Sequence, residues 1–468
     1  MATRDGALER AREHFDSGAF LEALARRIAI PTESQIPERQ PELYRYLEEE
    51  MKPEFEAMDH EVRIFDNPVE GRGPVLIASR IEDSSLPTML SYGHGDVVTS
   101  FPEEWDEGLK PYEMKIDGER VYGRGVVDNK GQHCLGMAAT KAVLDERGGR
   151  LGYNSKFIIE TGEEQGSHGL EPFIQSHTDL LATDIFLGID GPRHSLKMPE
   201  VVLGSRGAAY FDLIVDLKRE GGLHSGHWGG VMPDAGIILA QAISSITTPK
   251  GVILIDDWLP KSVPNSVRAA ARDLVVDKMD NIPEPEDPEW GDMSLTKEEK
   301  VMTNTSVIVL AYRCGNPDNP VNSVPSYARA RLQVRHVADV KREALGPALE
   351  KHFAAQGFGG IEVVETGREL FPAHREDPDN PWVRHIVKSL ERTHGGRINI
   401  CPGAGGSGPR GFFANHLDCV AMIIPNSYAG CGQHGPNEHG LKPLFREGIA
   451  NLAGIYWDAG EPDAPGRS

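Results

Sequence analysis

The chain is poor in cysteine, short of positive charge, and without a long apolar stretch. Its five cysteines, Cys134, Cys314, Cys401, Cys419 and Cys431, are an odd number spread over 468 residues, with no CxxC pair. Such spacing argues against a disulfide framework and fits a reducing compartment. Lys and Arg total 49 against 71 Asp and Glu, a formal balance of −22. That deficit argues against sequence-independent binding to nucleic acid or anionic membrane, both of which need clustered cations. No run of about 18 apolar residues occurs, and the first residues lack the apolar core of roughly 7–15 residues that a signal peptide needs. A cytoplasmic, soluble protein is expected. No internal repeat or low-complexity tract is visible. At about 100–200 residues per domain the length suggests two domains or more, with enough core to dispense with disulfide or structural-metal staples.

What is present reads as a sheet protein carrying an insertion. The first 50 or so residues have helical spacing, with Phe20, Leu21, Leu24, Ala25 and Ile28 ahead of the breaker Pro31. Short β-rich runs follow at residues 74–81, 88–92, 156–159 and 183–189, with a helix over 132–144 between the second and third. Strands alternating with helices predict an α/β fold, a mostly parallel sheet with helices on both faces. In such sheets, sites form where strands end at their carboxyl edge. From about residue 201 the pattern becomes a strand (207–217), a glycine-rich turn (221–230), a helix (235–246), a Pro/acid-rich loop (280–288), strands at 305–312 and 328–337, a helix at 341–356 and a last strand at 361–364. That order is the signature of a small α+β sandwich. A helix at 382–392 and a strand at 419–424 return to the first style, which predicts a catalytic domain of residues 1–203 and 370–468 interrupted by an inserted domain of residues 204–369.

The candidate chemistry sits where the apolar runs stop. The run Leu90-Ser91-Tyr92 leads to His94, Ile158-Ile159-Glu160 to Glu163 and Glu164, and Phe186-Leu187-Gly188-Ile189 to Asp190. Each alone reads as an ordinary polar turn; three metal-competent groups at the ends of strands that can be neighbours do not. Asp128 stands at the entrance to the 132–144 helix, where an N-cap is the plain alternative. A carboxylate has two oxygens, so Asp128 can bridge two divalent ions held by further carboxylates and histidines. Glu163 and Glu164 are consecutive, so on an extended segment their side chains diverge, one free to bind metal and the other to take a proton from water.

The motifs that follow one another along the chain are His94-Gly95-Asp96, Trp105, Gly123-Arg124-Gly125 with Asp128-Asn129-Lys130-Gly131, Gly162-Glu163-Glu164, Asp190-Gly191, His224-Ser225-Gly226 followed by Gly229-Gly230, Asn322-Ser323-Val324-Pro325, Gly405-Gly406-Ser407, and His434-Gly435-Pro436-Asn437-Glu438. In this order they resemble the co-catalytic zinc aminopeptidase-like family of carnosinases, cytosolic non-specific dipeptidases, carboxypeptidase G, aminoacylases and succinyl-diaminopimelate desuccinylases, and most of all its carnosinase and Cys-Gly dipeptidase branch. The resemblance implies a phosphorylase/hydrolase-like catalytic domain with a ferredoxin-like lid and dimerisation insert. It implies that His94 and Asp190 hold one metal, Glu164 and His434 the other, and Asp128 bridges, with a cis peptide between Asp128 and Asn129. Asp96 would orient the His94 ring, Glu163 would be the general base, and His224 would reach into the partner subunit's site to support the oxyanion. Arg335 and the loop Gly405, Gly406 and Ser407 would hold a substrate carboxylate.

The expected activity is hydrolysis of an amide bond in a dipeptide or similar small conjugate, with two divalent ions per subunit, zinc first and manganese or cobalt next, in a homodimer formed through the insert. The segment 428–433 and Gly408 depart from the family's usual residues on the leaving-group side. They keep open an N-acyl amino acid deacylase or an aminohydrolase of non-peptide amides. A binding protein without catalysis is the remaining alternative, and retention of all five ligands together with Glu163 argues against it.

Overall fold

The computed structural model describes residues 2–219, 222–279, 285–367 and 371–466. The expected boundary between residues 369 and 370, the start of the 221–230 turn and part of the 280–288 loop lie outside the described residues.

Two sheets organise the chain. In chain order the strands are β1 (Glu61–Phe65), β2 (Val75–Arg80), β3 (Thr88–His94), β4 (Asn154–Glu160), β5 (Ile185–Gly188), β6 (Glu200–Val202), β7 (Gly207–Asp216), β8 (Ser306–Arg313), β9 (Tyr327–His336), β10 (Glu362–Glu365), β11 (Asn399–Cys401) and β12 (Val420–Ile423). The larger sheet runs β1-β2-β4-β3-β5-β12-β6-β11. Its centre is parallel, β4 with β3, β3 with β5 and β5 with β12. β1 and β2 pair antiparallel with each other, β2 is antiparallel to β4, and β6 meets β12 antiparallel. β6 and β11 are again parallel, so the sheet is mostly parallel as expected, with an antiparallel edge where β2 follows β1 directly and no crossover helix separates them. β1, whose residues are exposed or only partly buried, has no counterpart among the sequence-expected runs.

Alternation along the strands divides the core in two. Leu76, Ala78, Met89, Phe157, Ile159, Ile185 and Leu187 face one layer, and Val75, Ile77, Leu90, Tyr92, Ile158 and Phe186 face the other. The first layer is built by helices α1 (Arg4–Asp16), α2 (Ala19–Ile28), α3 (Lys130–Glu146), and the later α7 (Pro381–His394) and α9 (Lys442–Ala459). The opposite layer is built by α4 (Leu170–Ser176) and α8 (Arg410–Leu417). α3 is buried along nearly its whole length, so its sequence is apolar or small on most faces rather than striped.

The chain leaves this sheet after β6 and returns to it at β11. Between them β7–β10 form a four-stranded antiparallel sheet in the order β8-β9-β7-β10. The helices α5 (Ala235–Ile246) and α6 (Leu345–Ala355) pack on it through Leu239, Ala242, Leu345 and Leu349. Ala328, Ala330, Leu332 and Val334 point to these helices, while Arg329, Arg331, Gln333 and Arg335 line up on the other face. The glycine-rich turn contains a two-residue strand, Leu223–His224, paired with Ser323–Val324, and a single helical turn, Ser225–Trp228. No helix among the described residues is long and apolar enough to cross a membrane.

Candidate metal centre

The order β4-β3-β5 places three carboxyl ends side by side. His94 is the last residue of β3, Glu163 and Glu164 follow β4, and Asp190 follows β5. Parallel strands end on the same edge, so the groups converge without any long loop. α3 crosses close behind β3: a Cβ at Gly93 would lie 2.3 Å from Cβ of His133, so only glycine fits between the strand and the helix. Glu163 and Glu164 lie on a 3-10 turn, Glu163–Gln165, rather than on the extended segment the sequence suggests. The turn forms because Gly166, at φ 82, closes it on the Glu163 carbonyl, and consecutive side chains still diverge there.

Asp128 joins two groups of ligands. His94, Asp128 and Asp190 offer atoms within 4.8 Å of one another, and so do Asp128, Glu164 and His434. His94 Nε2 lies 3.1 Å from one Asp128 oxygen, and His434 Nε2 lies 2.9 Å from the other and 3.3 Å from Glu164 Oε2. The Asp128 side chain does not cap α3; the N-cap position is Asn129, which makes no side-chain capping bond. The Asp128–Asn129 peptide is cis. Asn129 Oδ1 accepts the His94 backbone amide at 3.2 Å, and its Nδ2 donates to Asp190 at 2.7 Å. An amide therefore ties two of the ligands together where an acid would repel Asp190.

Asp96 is fully buried and works in two directions. Its carboxylate accepts the backbone amides of Glu163 and Glu164 at 3.2 and 3.1 Å and the Ser34 hydroxyl at 2.7 Å. His94 Nδ1 donates to the Asp96 carbonyl at 3.1 Å, with an Asp96 carboxylate oxygen at 3.4 Å, which leaves Nε2 aimed at Asp128.

The electrostatics are those of a site assembled for cations. Burial, reinforced by the Asp128 charge, holds Glu164 well above the ordinary glutamate range; burial holds Glu163 there too, with Asp190 and Asp128 adding to it against the pull of His94. Asp190 is raised for the same reason, burial first. Asp128 is held low despite burial by hydrogen bonds to His434 and His94. His94 is raised although burial opposes it, because Asp128 and Asp96 both accept from it. Four carboxylates at this density repel one another, and Glu164 Oε1 is a buried oxygen without any hydrogen-bond partner. A mixed imidazole and carboxylate set with a shared Asp and an orphaned carboxylate oxygen fits two divalent ions.

Two residues that local sequence patterns did not single out support this centre. Glu438, fully buried, accepts the amides of Gly125 and Val127 at 2.9 Å and of Asp128 at 3.1 Å, and it pairs with buried Arg124 at 2.8 Å. Trp105 stacks over Arg124 at 5.7 Å. Glu160 accepts from Tyr92 at 2.7 Å and Ser167 at 2.8 Å, and burial pushes it up to about 7. Glu438 was in view as the acid of the His434 motif, but nothing in the sequence links it to Arg124, 314 residues away.

The remaining candidates form a second group. Arg335 Nη1 donates to Ser407 Oγ at 2.9 Å, Ser407 donates to the Arg206 carbonyl at 2.6 Å, and Arg206 donates to the Gly405 carbonyl at 3.1 Å. Burial, then the nearby Arg335 charge, lowers Arg206 to about 10. Gly406 has open space around it. His224 makes no hydrogen bond or ring contact with either group among the described residues: it is exposed, accepts the Gly226 amide at 3.1 Å and lies 4.6 Å from the His227 ring.

A family model described as peptidase family M20/M25/M40 matches residues 90–457. The chain is 30% identical over 356 residues to a cysteinylglycine-S-conjugate dipeptidase of Corynebacterium striatum, covering 73% of this chain and 74% of that protein. It is 28% identical over 400 residues to a Cys-Gly metallodipeptidase of Saccharomyces cerevisiae, covering 78% of each. Among solved structures, an M20 family metallo-carboxypeptidase from Sulfolobus solfataricus superposes with a TM-score of 0.75 at 23% identity, over 94% of this chain and 99% of that one, which is a likeness of fold.

Proposed function

The chain belongs to peptidase family M20/M25/M40, and on that premise we propose that it is a dinuclear metallopeptidase that hydrolyses dipeptides, with Glu163 as general base. The observation that carries this reading is the sharing of Asp128 between two three-ligand groups, with Glu163 beside them and outside both. His94 and Asp190 would hold one ion and Glu164 and His434 the other; zinc suits this ligand set, as do manganese and cobalt. When bound, the two ions polarise the scissile carbonyl and make water acidic enough to give up a proton near neutral pH.

Glu163 takes that proton from the attacking water and passes it to the leaving nitrogen, the part of a general acid–base residue placed beside the ligands. Asp96 keeps the Glu163 and Glu164 backbone and the His94 ring in one arrangement. Arg335 clamps the substrate carboxylate, with the Gly405, Gly406 and Ser407 backbone around it. His224 serves the site of a second copy in a homodimer built through the insert, where it donates a hydrogen bond to the developing oxyanion. The division into residues 1–203, 204–369 and 370–468 and a cytoplasmic location complete the proposal.

Metal-reconstituted protein assayed on Cys-Gly, β-Ala-His and other dipeptides beside N-acyl amino acids tests the reading. Higher kcat/KM on dipeptides supports it; turnover of acyl amino acids alone would replace it with a deacylase.

A further inference from the structure

Away from the Asp128 centre, His194, Glu200 and Cys401 bring an imidazole, a carboxylate and a thiol within 4.8 Å of one another. β6 and β11 produce the convergence: they pair in parallel, Glu200 opposite Asn399 and Val202 opposite Cys401, so residues 200 and 401 project from the same face one step apart. Glu200 and Cys401 are both fully buried. The only cationic group paired with Glu200 among the described residues is His194, whose Nδ1 is 2.9 Å from Oε1 and whose amide donates to Oε2 at 3.0 Å. His194 keeps 33% of its side chain exposed, which leaves an entry path from solvent.

We propose that His194, Glu200 and Cys401 bind a third divalent ion, of the zinc class, at a site sharing no ligand with the dinuclear centre. The spacing supports it. Ligands about 2.1 Å from a tetrahedral ion stand roughly 3.4 Å apart, and the His194–Glu200 pair at 2.9 Å is contracted to the same degree as His434–Asp128 at 2.9 Å in the catalytic group. A dication replaces two protons, the Cys401 thiol proton and the one shared between His194 and Glu200, and both leave to solvent. Thiolate, carboxylate and dication then sum to zero charge in a buried place, and water completes four-coordination. A thiolate ligand selects zinc or cobalt over magnesium or calcium. The ion joins the segment carrying His194, four residues beyond Asp190, and β6 to β11, the strand that returns the chain to the larger sheet after the insert.

The probe is Co2+ added to metal-free full-length protein, read by equilibrium dialysis and absorption. The dinuclear centre has no sulfur ligand, so a thiolate-to-cobalt charge-transfer band in the near ultraviolet reports the third site alone. The expected result is three Co2+ per chain with that band, and two Co2+, no band and unchanged dipeptide turnover in Cys401→Ser. His194→Gln, whose amide can still donate to buried Glu200 where Ala would strand it, also loses the band, and decides the matter should Cys401→Ser fail to fold. Two Co2+ without the band in the unsubstituted protein, or a band that survives in either variant, overturns the proposal.

Discussion

Glu438 accepts the backbone amide of Asp128 at 3.1 Å, so the shared carboxylate of the metal centre is held in place by a second carboxylate that touches no ligand atom. Glu438 also neutralises Arg124, and both are buried. Replacing Glu438 with Ala strands a buried guanidinium and three amides, a loss of about 3–5 kcal/mol. Metal affinity falls by about 10–100-fold, the scale for removing a group that orients a ligand. Urea unfolding with chelator present and zinc titration measure the two effects; a variant as stable as the parent would remove Glu438 from this role.

Glu160 gives the metal-free protein a pH dependence of stability with a defined sign. Burial first, then the Asp96 charge, lifts it to about 7 from 4.5, so between these values the folded chain keeps a proton that the unfolded chain has lost. Its contribution is therefore lost as pH rises through that window, by on the order of 3 kcal/mol. In Glu160→Gln the amide oxygen still accepts from Tyr92 and Ser167 and the titration is gone. The difference between parent and variant unfolding free energies, measured in chelator from pH 5 to 8, should move in the variant's favour with rising pH; a constant difference would contradict it.

The carboxylate-binding role proposed for Arg335 predicts a separation of binding from chemistry. A charge-assisted hydrogen bond is worth about 1.5–3 kcal/mol, or about 10–150-fold. Arg335→Ala should lower kcat/KM on a dipeptide by that factor, mainly through KM, and leave turnover of the C-terminally amidated dipeptide unchanged. An equal loss on both substrates would assign Arg335 to the fold instead.

His224 and Glu163 offer a test of a shared site. Glu163→Gln is expected to retain metal and lose at least about 10²–10⁴-fold in turnover, and His224→Ala about 10²–10³-fold in kcat. In mixed dimers of the two variants, one of the two sites has Glu163 in its own subunit and an intact His224 from the other. Mixing should restore activity well above either variant. No recovery, with mixed dimers shown to form, would place His224 outside the partner's site.

Much of the centre was legible because its residues obey local rules. His94, Glu163, Glu164 and Asp190 each terminate an apolar run, and strand ends are what periodicity locates best. The ordering β4-β3-β5 was not legible, since pairing of strands separated by 60 or more residues leaves no local trace; nor was the antiparallel edge of the sheet, where β2 runs against both β1 and β4. The 3-10 turn at Glu163–Gln165 escaped the pattern because two acids between glycines suit several backbones.

The sequence by itself determined the types of the candidate ligands, their order, and the acidic balance of −22 in which they are set. Those follow from residue identity and short-range spacing. Only the tertiary structure decided that Asn129 links the His94 backbone to Asp190, that Glu438 meets Arg124 and Asp128 across some 310 residues, and that Ser407 joins Arg335 to the Arg206 carbonyl. Hydrogen bonds and charge pairs act over about 3 Å of space, and the distance along the chain says nothing about which groups come that close.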